Sequence, residues 1–557
     1  MAKGSKNQNN KNYDEDTKEY LEPAGYVGNG SNTPKSDLEI MYYDSDENTT
    51  GLLTKGKNGY QDVPEKAPNP YERKLSIEEV FTNEREGIIK EITTITKRSL
   101  PLLIGSFFAS FALYLETASI GFLGKKQLAG FGLAHIFVVF MGYPMKYGII
   151  GGLETLCSQA HTGLRNTNMT EIYLLRSIAM YSVLTVFNVI VWNSTGLWLS
   201  KYAKDAEIAY YATLYLRTYW PAFYFLGLVG FSRQYMYAKG ITKPVLYFSA
   251  FGSIATIISL YFLVINKSTG IGFVGVPIAT TIGNTTMLII IFFYIKNTNL
   301  IEKFKVNTPC GDYFPLNYID KEVFTGWGQL IKFAFPSMIL IYTTSGTNEL
   351  VSVAATLLRN NALAVQSVLN VVTRIFIVFF VNFSIISTNR MGNALGANVP
   401  QRAKIIFMAS TAIYTVIATF IFIFIFFFAN VWSRMFSKDL IIIKYVLCLS
   451  PLVAVTMIFE IFGFLYTGLL RGQGRQVLAV KIKLIAFYGI GTPIGWILGL
   501  YFDWRLNGLW TGMIIGHSIT AITMAYLLSK TDWELQVQKT KERLLEKQGK
   551  KVNKDVV

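Results

Sequence analysis

Four glutamates stand where an acid is hard to keep. Glu116, Glu154, Glu349 and Glu460 fall inside or at the end of long apolar runs, and a charged side chain at the centre of a bilayer costs about 2.5 to 3.5 kcal/mol on insertion scales. Burial favours the neutral carboxylic acid, whereas a nearby cation favours the carboxylate. A group balanced in that way holds a proton or an organic cation, never both, and this exclusion is the physical core of proton-coupled antiport. Glu349 and Glu460 are the stronger candidates, because each lies well inside its run, where Arg374 is expected to be the one other buried charge of that half. Glu116 and Glu154 lie nearer to run ends, where interfacial water or a structural ion pair with Lys146 or Arg217 is the competing reading, one that weighs more for Glu154 than for Glu116. Arg374 is either a positioning partner or a side chain whose head reaches the interface along an apolar stem. Lys146 is read as a supporting charge.

The elements that carry these residues are apolar stretches of about 20 residues, the length that crosses a bilayer as a helix. They recur at 99–123, 133–157, 172–199, 208–236, 244–265, 271–295, 330–355, 362–388, 405–432, 440–469, 478–500 and 508–528, two groups of six parted by the polar segment 296–329. The expected fold is an all-α integral membrane protein, with twelve transmembrane helices as two six-helix repeats forming two lobes around a central cavity. Its expected domains are a disordered acidic cytoplasmic tail (1–98), an N-terminal lobe (99–295), a cytoplasmic linker (296–329), a C-terminal lobe (330–528) and a basic cytoplasmic tail (529–557).

Composition agrees with that fold. The 557 residues carry a formal net charge of +16, yet 51% are apolar and only 16% charged, where a soluble domain has about 25% charged. Residues 1–98 hold 14 basic and 18 acidic side chains, and only 13 acids remain between Ser99 and Leu528. The surplus charge is therefore topological and no nucleic-acid footprint. Three Cys and three scattered His suggest neither a disulfide framework nor a zinc site. The first apolar run starts near residue 100, so no N-terminal secretory signal is expected, and no GxxxxGK[ST] phosphate loop is present.

The halves read as copies. Pro101 and Pro336, Gly163 and Gly396, Pro221 and Pro451, Gly240 and Gly474, and Gly275 and Gly508 recur in the same order, 230 to 235 positions apart. A parallel duplication of this kind places a binding site between repeats that rock around it. With a cytoplasmic N-terminus, the inner loops hold 17 Lys/Arg and the outer loops 10, with Lys146, Arg217 and Arg374 counted within spans and Lys125 and Lys126 on the wrong side. The small residues Gly148, Gly151, Gly152, Gly463 and Gly468 suit close helix packing. Tyr210, Tyr211, Tyr215, Tyr219 and Trp220 suit an interfacial aromatic belt.

At several of these positions the sequence resembles the multidrug and toxic compound extrusion (MATE) family, most of all its eukaryotic branch. Gly152-Leu-Glu-Thr-Leu-Cys-Ser-Gln-Ala160 is similar to the family's Ala-Leu-Asp-Thr-Leu-Cys-Gly-Gln-Ala, with Glu154 in the Asp position. Arg390-Met-Gly-Asn-Ala-Leu-Gly-Ala-Asn398 resembles Arg-Val-Ser-Asn-Glu-Leu-Gly-Ala-Gly, and Gly468-Leu-Leu-Arg-Gly-Gln-Gly-Arg-Gln476 resembles Gly-Val-x-Arg-Gly-x-Gly-x-Gln. The family's tenth-span acid, eleven residues before that Arg, is matched by Glu460 relative to Arg471. Of two seventh-span Glu, eight and thirteen residues after a Pro, the second is Glu349 and the first is replaced by Thr344. Glu116-Thr-Ala-Ser-Ile-Gly-Phe-Leu-Gly124 is similar to the Asp-Thr-x-x-x-Gly-x-x-Gly of prokaryotic members, whose Asp takes part in ion coupling. The accompanying fifth-span Asn is absent, with Ser249, Ser253 and Ser259 in its place.

The resemblance implies a transporter, not an enzyme, exporting cationic or polar xenobiotics or metabolites by proton-coupled antiport with alternating access. Its substrate and proton sites would be Glu349, Glu460, Glu116 and Glu154. It further implies a proton rather than sodium as coupling ion, no cofactor, a small organic substrate and the lipid bilayer as partners, no nucleic acid, and a monomer. The membrane would be the plasma membrane or a vacuolar or other endomembrane, with both termini cytoplasmic. The rival readings are a lipid-linked glycan flippase of the same superfamily, which needs a cavity of Arg and Lys, and an integral-membrane enzyme.

Overall fold

In hydrocarbon every backbone N–H and C=O must be satisfied within its own segment, so long apolar runs fold as helices. The computed structural model describes residues 53–56, 59–62, 77–164, 169–202, 205–266, 268–298, 321–358 and 361–545. Among the described residues twelve long helices follow one another: α1 Ile77–Leu123, α2 Lys125–Gly163, α3 Met169–Tyr202, α4 Ala206–Ala238, α5 Lys243–Ile265, α6 Gly272–Asn297, α7 Trp327–Leu357, α8 Ala362–Gly396, α9 Pro400–Phe427, α10 Leu440–Gly472, α11 Gln476–Tyr501 and α12 Arg505–Ser529. Ten of them are long and apolar enough to cross a membrane. The other two, α4 and α7, carry Arg217 and Arg233, and Lys332 and Glu349, within their length.

The boundaries depart from expectation at the tails. Helix α1 begins at Ile77, well before Ser99, and the basic tail continues as an amphipathic helix, α13, Trp533–Leu545. A short antiparallel hairpin pairs Leu53–Gly56 with Gly59–Asp62. The rest of the expected tail before Ile77, the centre of the expected linker (299–320) and residues 546–557 lie outside the described residues. The chain divides into two compact units, 1–86 and 87–557.

The helices of the second unit form two lobes. In the first lobe, α3 and the start of α2 pack on α4, and α4 and α5 pack on α6; in the second, α10 packs on α8, α9 and α12. The lobes meet where the second half of α2 lies along α7 and α8. Small residues allow that approach: a Cβ on Gly151 would stand 2.7 Å from Ser337 Cβ, and one on Gly152 3.0 Å from the Ala334 nitrogen. Phe107, Phe111, Phe122, Val416, Phe420 and Phe427 point outward and exposed, as side chains solvated by lipid do.

The duplication is visible in the backbone. Gly240 and Gly474, which follow α4 and α10, both adopt the left-handed region, at φ 78° and 76°. Each sits in a reversal closed by a matching bond, Ile241 N–H to Met236 O at 2.9 Å and Arg475 N–H to Leu470 O at 2.8 Å. Gly163 and Gly396, repeat images of each other, touch: a Cβ on Gly163 would stand 2.9 Å from Gly396 O. Prolines loosen two helices. In α2 a π-turn at Val138–Gly142 precedes Pro144, and in α11 one at Ile485–Gly491 precedes Pro493, because proline lacks the N–H that its helical acceptor requires.

Candidate functional site

The second lobe buries a cluster of ionisable side chains supplied by three helices. Glu460 comes from α10, Lys483 from α11 and His517 from α12; they are 7%, 5% and 7% exposed. Lys483 Nζ donates to Thr344 Oγ1 of α7 at 3.3 Å and lies 5.3 Å from the centroid of Phe464. His517 stands edge-on to Phe487 at 4.7 Å. Glu460 and Lys483 interact electrostatically, and the field of Lys483 also reaches His517. Lys483 corrects the expectation that Arg374 is the one buried cation of this half. It lies within the expected eleventh span, but so near its start that the charge rule counts it with the inner loop.

Arg374 itself is exposed. It sits 3.9 Å from Glu349, with side chains 64% and 44% exposed respectively, so this acid is paired but not buried. The charge of Arg374 reaches His135 on α2 of the other lobe, so the exposed pair lies on the side facing that lobe. Nearby, Tyr342 OH of α7 donates to Phe140 O of α2 at 2.7 Å. Phe140 O is the carbonyl that Pro144 leaves without a helical donor, and the second lobe supplies the replacement. The structure thus keeps Glu349 with Arg374 and Glu460 with Lys483, in different surroundings.

The first lobe holds its own acid. Glu116, 4% exposed, accepts from Tyr215 OH at 3.1 Å and lies within reach of the Thr280 hydroxyl. Tyr215 stacks on Tyr219 at 5.1 Å. The expected aromatic belt therefore splits: Tyr210 and Trp220 are exposed, while Tyr215 and Tyr219 turn inward over Glu116. Lys146, 2% exposed, stands over the rings of Tyr143 and Tyr147 at 4.7 and 4.2 Å, with no ion pair to Glu116 or Glu154. Arg217 is exposed and donates to Asn193 O at 3.3 Å, so neither basic residue expected to neutralise these acids does so.

Glu154 finds a different partner. Its Oε2 lies 2.8 Å from Arg471 Nε on α10, across the lobe boundary, while Oε1 is buried with no hydrogen-bond partner among the described residues. Around this pair Thr155 Oγ1 donates to Arg471 O at 2.8 Å, Gln159 Nε2 to Gly472 O at 2.8 Å and Thr162 Oγ1 to Asn393 O at 2.7 Å. Glu91 of α1 takes a bidentate pair from Arg390 of α8, at 2.6 and 2.7 Å, and a third bond from Arg402 Nε at 3.0 Å. From α13, Arg543 donates to Gln159 Oε1 of one lobe at 3.3 Å and to Gln473 O of the other at 3.1 Å. These polar contacts between the lobes gather at the end where α2, α8 and α10 finish, whereas Tyr342–Phe140 and Ser106–Asn382 lie away from it. Glu91 lies in the stretch expected to be a disordered tail, where an acid carries no signal of burial.

Lys126, on the wrong side by the charge rule, is answered by Glu207, with Asp205 at 3.9 Å. A cavity of about 450 Å³ opens between α8, α10 and α12 beside Tyr445, Trp504 and Arg505; none of the four glutamates lines it.

Comparison with known proteins adds three findings. A model of the MatE family matches residues 101–262 and 336–497, one stretch in each lobe. An uncharacterized transporter of Schizosaccharomyces pombe is 26% identical over 464 residues, covering 83% of each chain, and Protein DETOXIFICATION 49 of Arabidopsis thaliana is 27% identical over 461 residues, covering 82% of this chain and 88% of the relative. The fold is similar to the crystal structure of the eukaryotic MATE transporter AtDTX14, with a TM-score of 0.74 at 22% identity over 82% of this chain and 100% of that one.

Proposed function

The chain belongs to the MatE family and is a multi-pass membrane transporter rather than an enzyme, and from that premise we propose that it exports polar or cationic organic solutes in exchange for protons. The observation that carries this reading is Glu460, a carboxylate buried within a span with no hydrogen bond among the described residues and a single nearby ammonium. Glu349, exposed beside Arg374, acts as the acid that first meets solute or proton. Glu116, hydrogen-bonded by Tyr215, is a second buried carboxylate, in the first lobe.

With the N-terminus in the cytoplasm, the end sealed by Glu154–Arg471, Glu91–Arg390 and α13 is the inner one, and Glu349, near the far end of α7, lies towards the outside. Protons arriving there neutralise the carboxylates and release the solute. Rocking of the lobes then breaks the inner contacts, and deprotonation on the inside prepares the site for the next solute. One net charge moving through the potential contributes about 2.3 kcal/mol per 100 mV, so exchange of one proton for a neutral polar solute draws on the potential and the pH difference, exchange for a monocation draws on the pH difference alone, and neither needs a nucleotide.

The test is efflux from proteoliposomes under an imposed proton gradient. Glu460→Gln is expected to lose most gradient-driven efflux and Glu349→Gln to lower it. Wild-type rates in both variants would defeat the assignment.

A further inference from the structure

Glu460 and Lys483 feel each other's charge, yet no ion pair joins them. Each is more than nine-tenths buried. Glu460 accepts no hydrogen bond among the described residues, and the one bond from Lys483 is the long contact, 3.3 Å, to Thr344 Oγ1. The other charged or titratable groups in reach are His517 of α12, which feels Lys483, and Arg471 of α10, already engaged by Glu154. The packing beside Glu460 is loose. Gly463, one turn on and buried, would carry a Cβ whose nearest neighbour is Thr520 Cγ2 at 3.8 Å, whereas most glycines of the bundle admit no such atom.

Buried charges held apart are costly unless something completes them. An organic cation alone would satisfy Glu460 and add a like charge beside Lys483. An organic anion alone would satisfy Lys483 and repel Glu460. A solute with an ammonium and a carboxylate a few atoms apart completes both poles at no net charge, and each contact is a charge-assisted hydrogen bond.

We propose that this lobe binds a small zwitterion, its cationic group on Glu460 and its anionic group on Lys483 and Thr344. The proposal rests on the transporter reading and narrows its substrate class. Lys483 becomes the residue that sets which charge type is accepted, because it makes the bare cluster neutral rather than anionic. The π-turn at Ile485–Gly491 just beyond it gives α11 a backbone able to shift this side chain without unwinding the helix.

The experiment measures equilibrium binding to the purified full-length chain in detergent. The probes are leucine and phenylalanine, their amides, which are cations, and their deaminated acids, which are anions. Wild type is expected to bind the amino acids at least about tenfold more tightly than either counterpart, a difference of about 1.4 kcal/mol. Lys483→Met is expected to turn the preference to the amides, and Glu460→Gln to turn it to the acids. Lys483→Arg should restore most of the amino-acid preference, which a merely structural loss in Lys483→Met would not predict. Equal binding of amide and amino acid by wild type, an unchanged order in Lys483→Met, or no binding of any probe would overturn the proposal. Proton-driven efflux is measured separately. If the binding order holds while no proton gradient drives efflux, the antiport reading falls and the zwitterion site stands.

Discussion

Arg471 holds Glu154 in place from the opposite lobe, and that single contact shows how unevenly the acids of this chain are supported. Removing the guanidinium leaves a carboxylate that is 2% exposed with no cation beside it. Breaking a buried pair by deleting one partner costs about 3–5 kcal/mol, whereas replacing both is often close to neutral. Arg471→Ala is therefore expected to lower the thermal midpoint of the purified protein sharply, and the double variant Glu154→Gln/Arg471→Gln to recover most of it; paired denaturation scans check both. The candidate acids themselves were legible in the sequence, because an acid in a long apolar run needs no alignment to be noticed. Apart from Arg374, which stands beside Glu349, their partners were not. Thr155 and Arg471 lie 316 residues apart, and no local pattern tells which of the buried cations a given acid will meet. Lys483 was hidden for another reason: near a helix end, a lysine looks like topology until its burial is known.

Among the elements, the matched reversals after α4 and α10 are under the same backbone demand. At φ near 77° an L side chain costs roughly 1–2 kcal/mol, so Gly240→Ala and Gly474→Ala should both destabilise. Gly474→Ala should do so more, since its added methyl would run into the Arg543 guanidinium of α13. Gly463→Ala serves as the contrast. Its methyl has room in a helix interior, so the stability of this variant should hold or rise, by up to about 1 kcal/mol, with a thermal midpoint no lower than that of wild type. Helix α13 bridges the two lobes through Arg543, with Leu544 buried against Gly163. A chain ending at Thr531 should therefore show faster hydrogen exchange at 155–163 and 469–474, and in α9 beside Phe407, while α6 remains protected. Unchanged exchange there would mean that α13 does not hold this end. The sequence marked α13 only as a basic tail. Its helix is amphipathic and short, and the partner that orders it comes from elements hundreds of residues earlier.

Across the whole molecule, the twelve spans and the duplication were legible because both are written in periodic, local terms: lengths of apolar chain, and glycines and prolines at a constant offset. What joins the lobes is written in pairs without a period, and it required coordinates. These contacts are numerous and polar, so the lobes should find each other without a covalent link. Fragments 1–310 and 311–557, expressed together, are expected to co-purify, and Gly163→Leu to abolish the association; affinity capture of one fragment followed by detection of the other decides it.

The touching pair Gly163 and Gly396 carries that expectation further. A residue that contacts its own repeat image lies on the axis relating the repeats, which is the contact geometry of a symmetric dimer in which one surface meets a second copy of itself. A single six-helix unit inserted twice in the same orientation would have made this contact between separate chains. The junction is therefore the place where the fused protein still has the form of two subunits, and substitutions on the axis must satisfy both of its former halves at once.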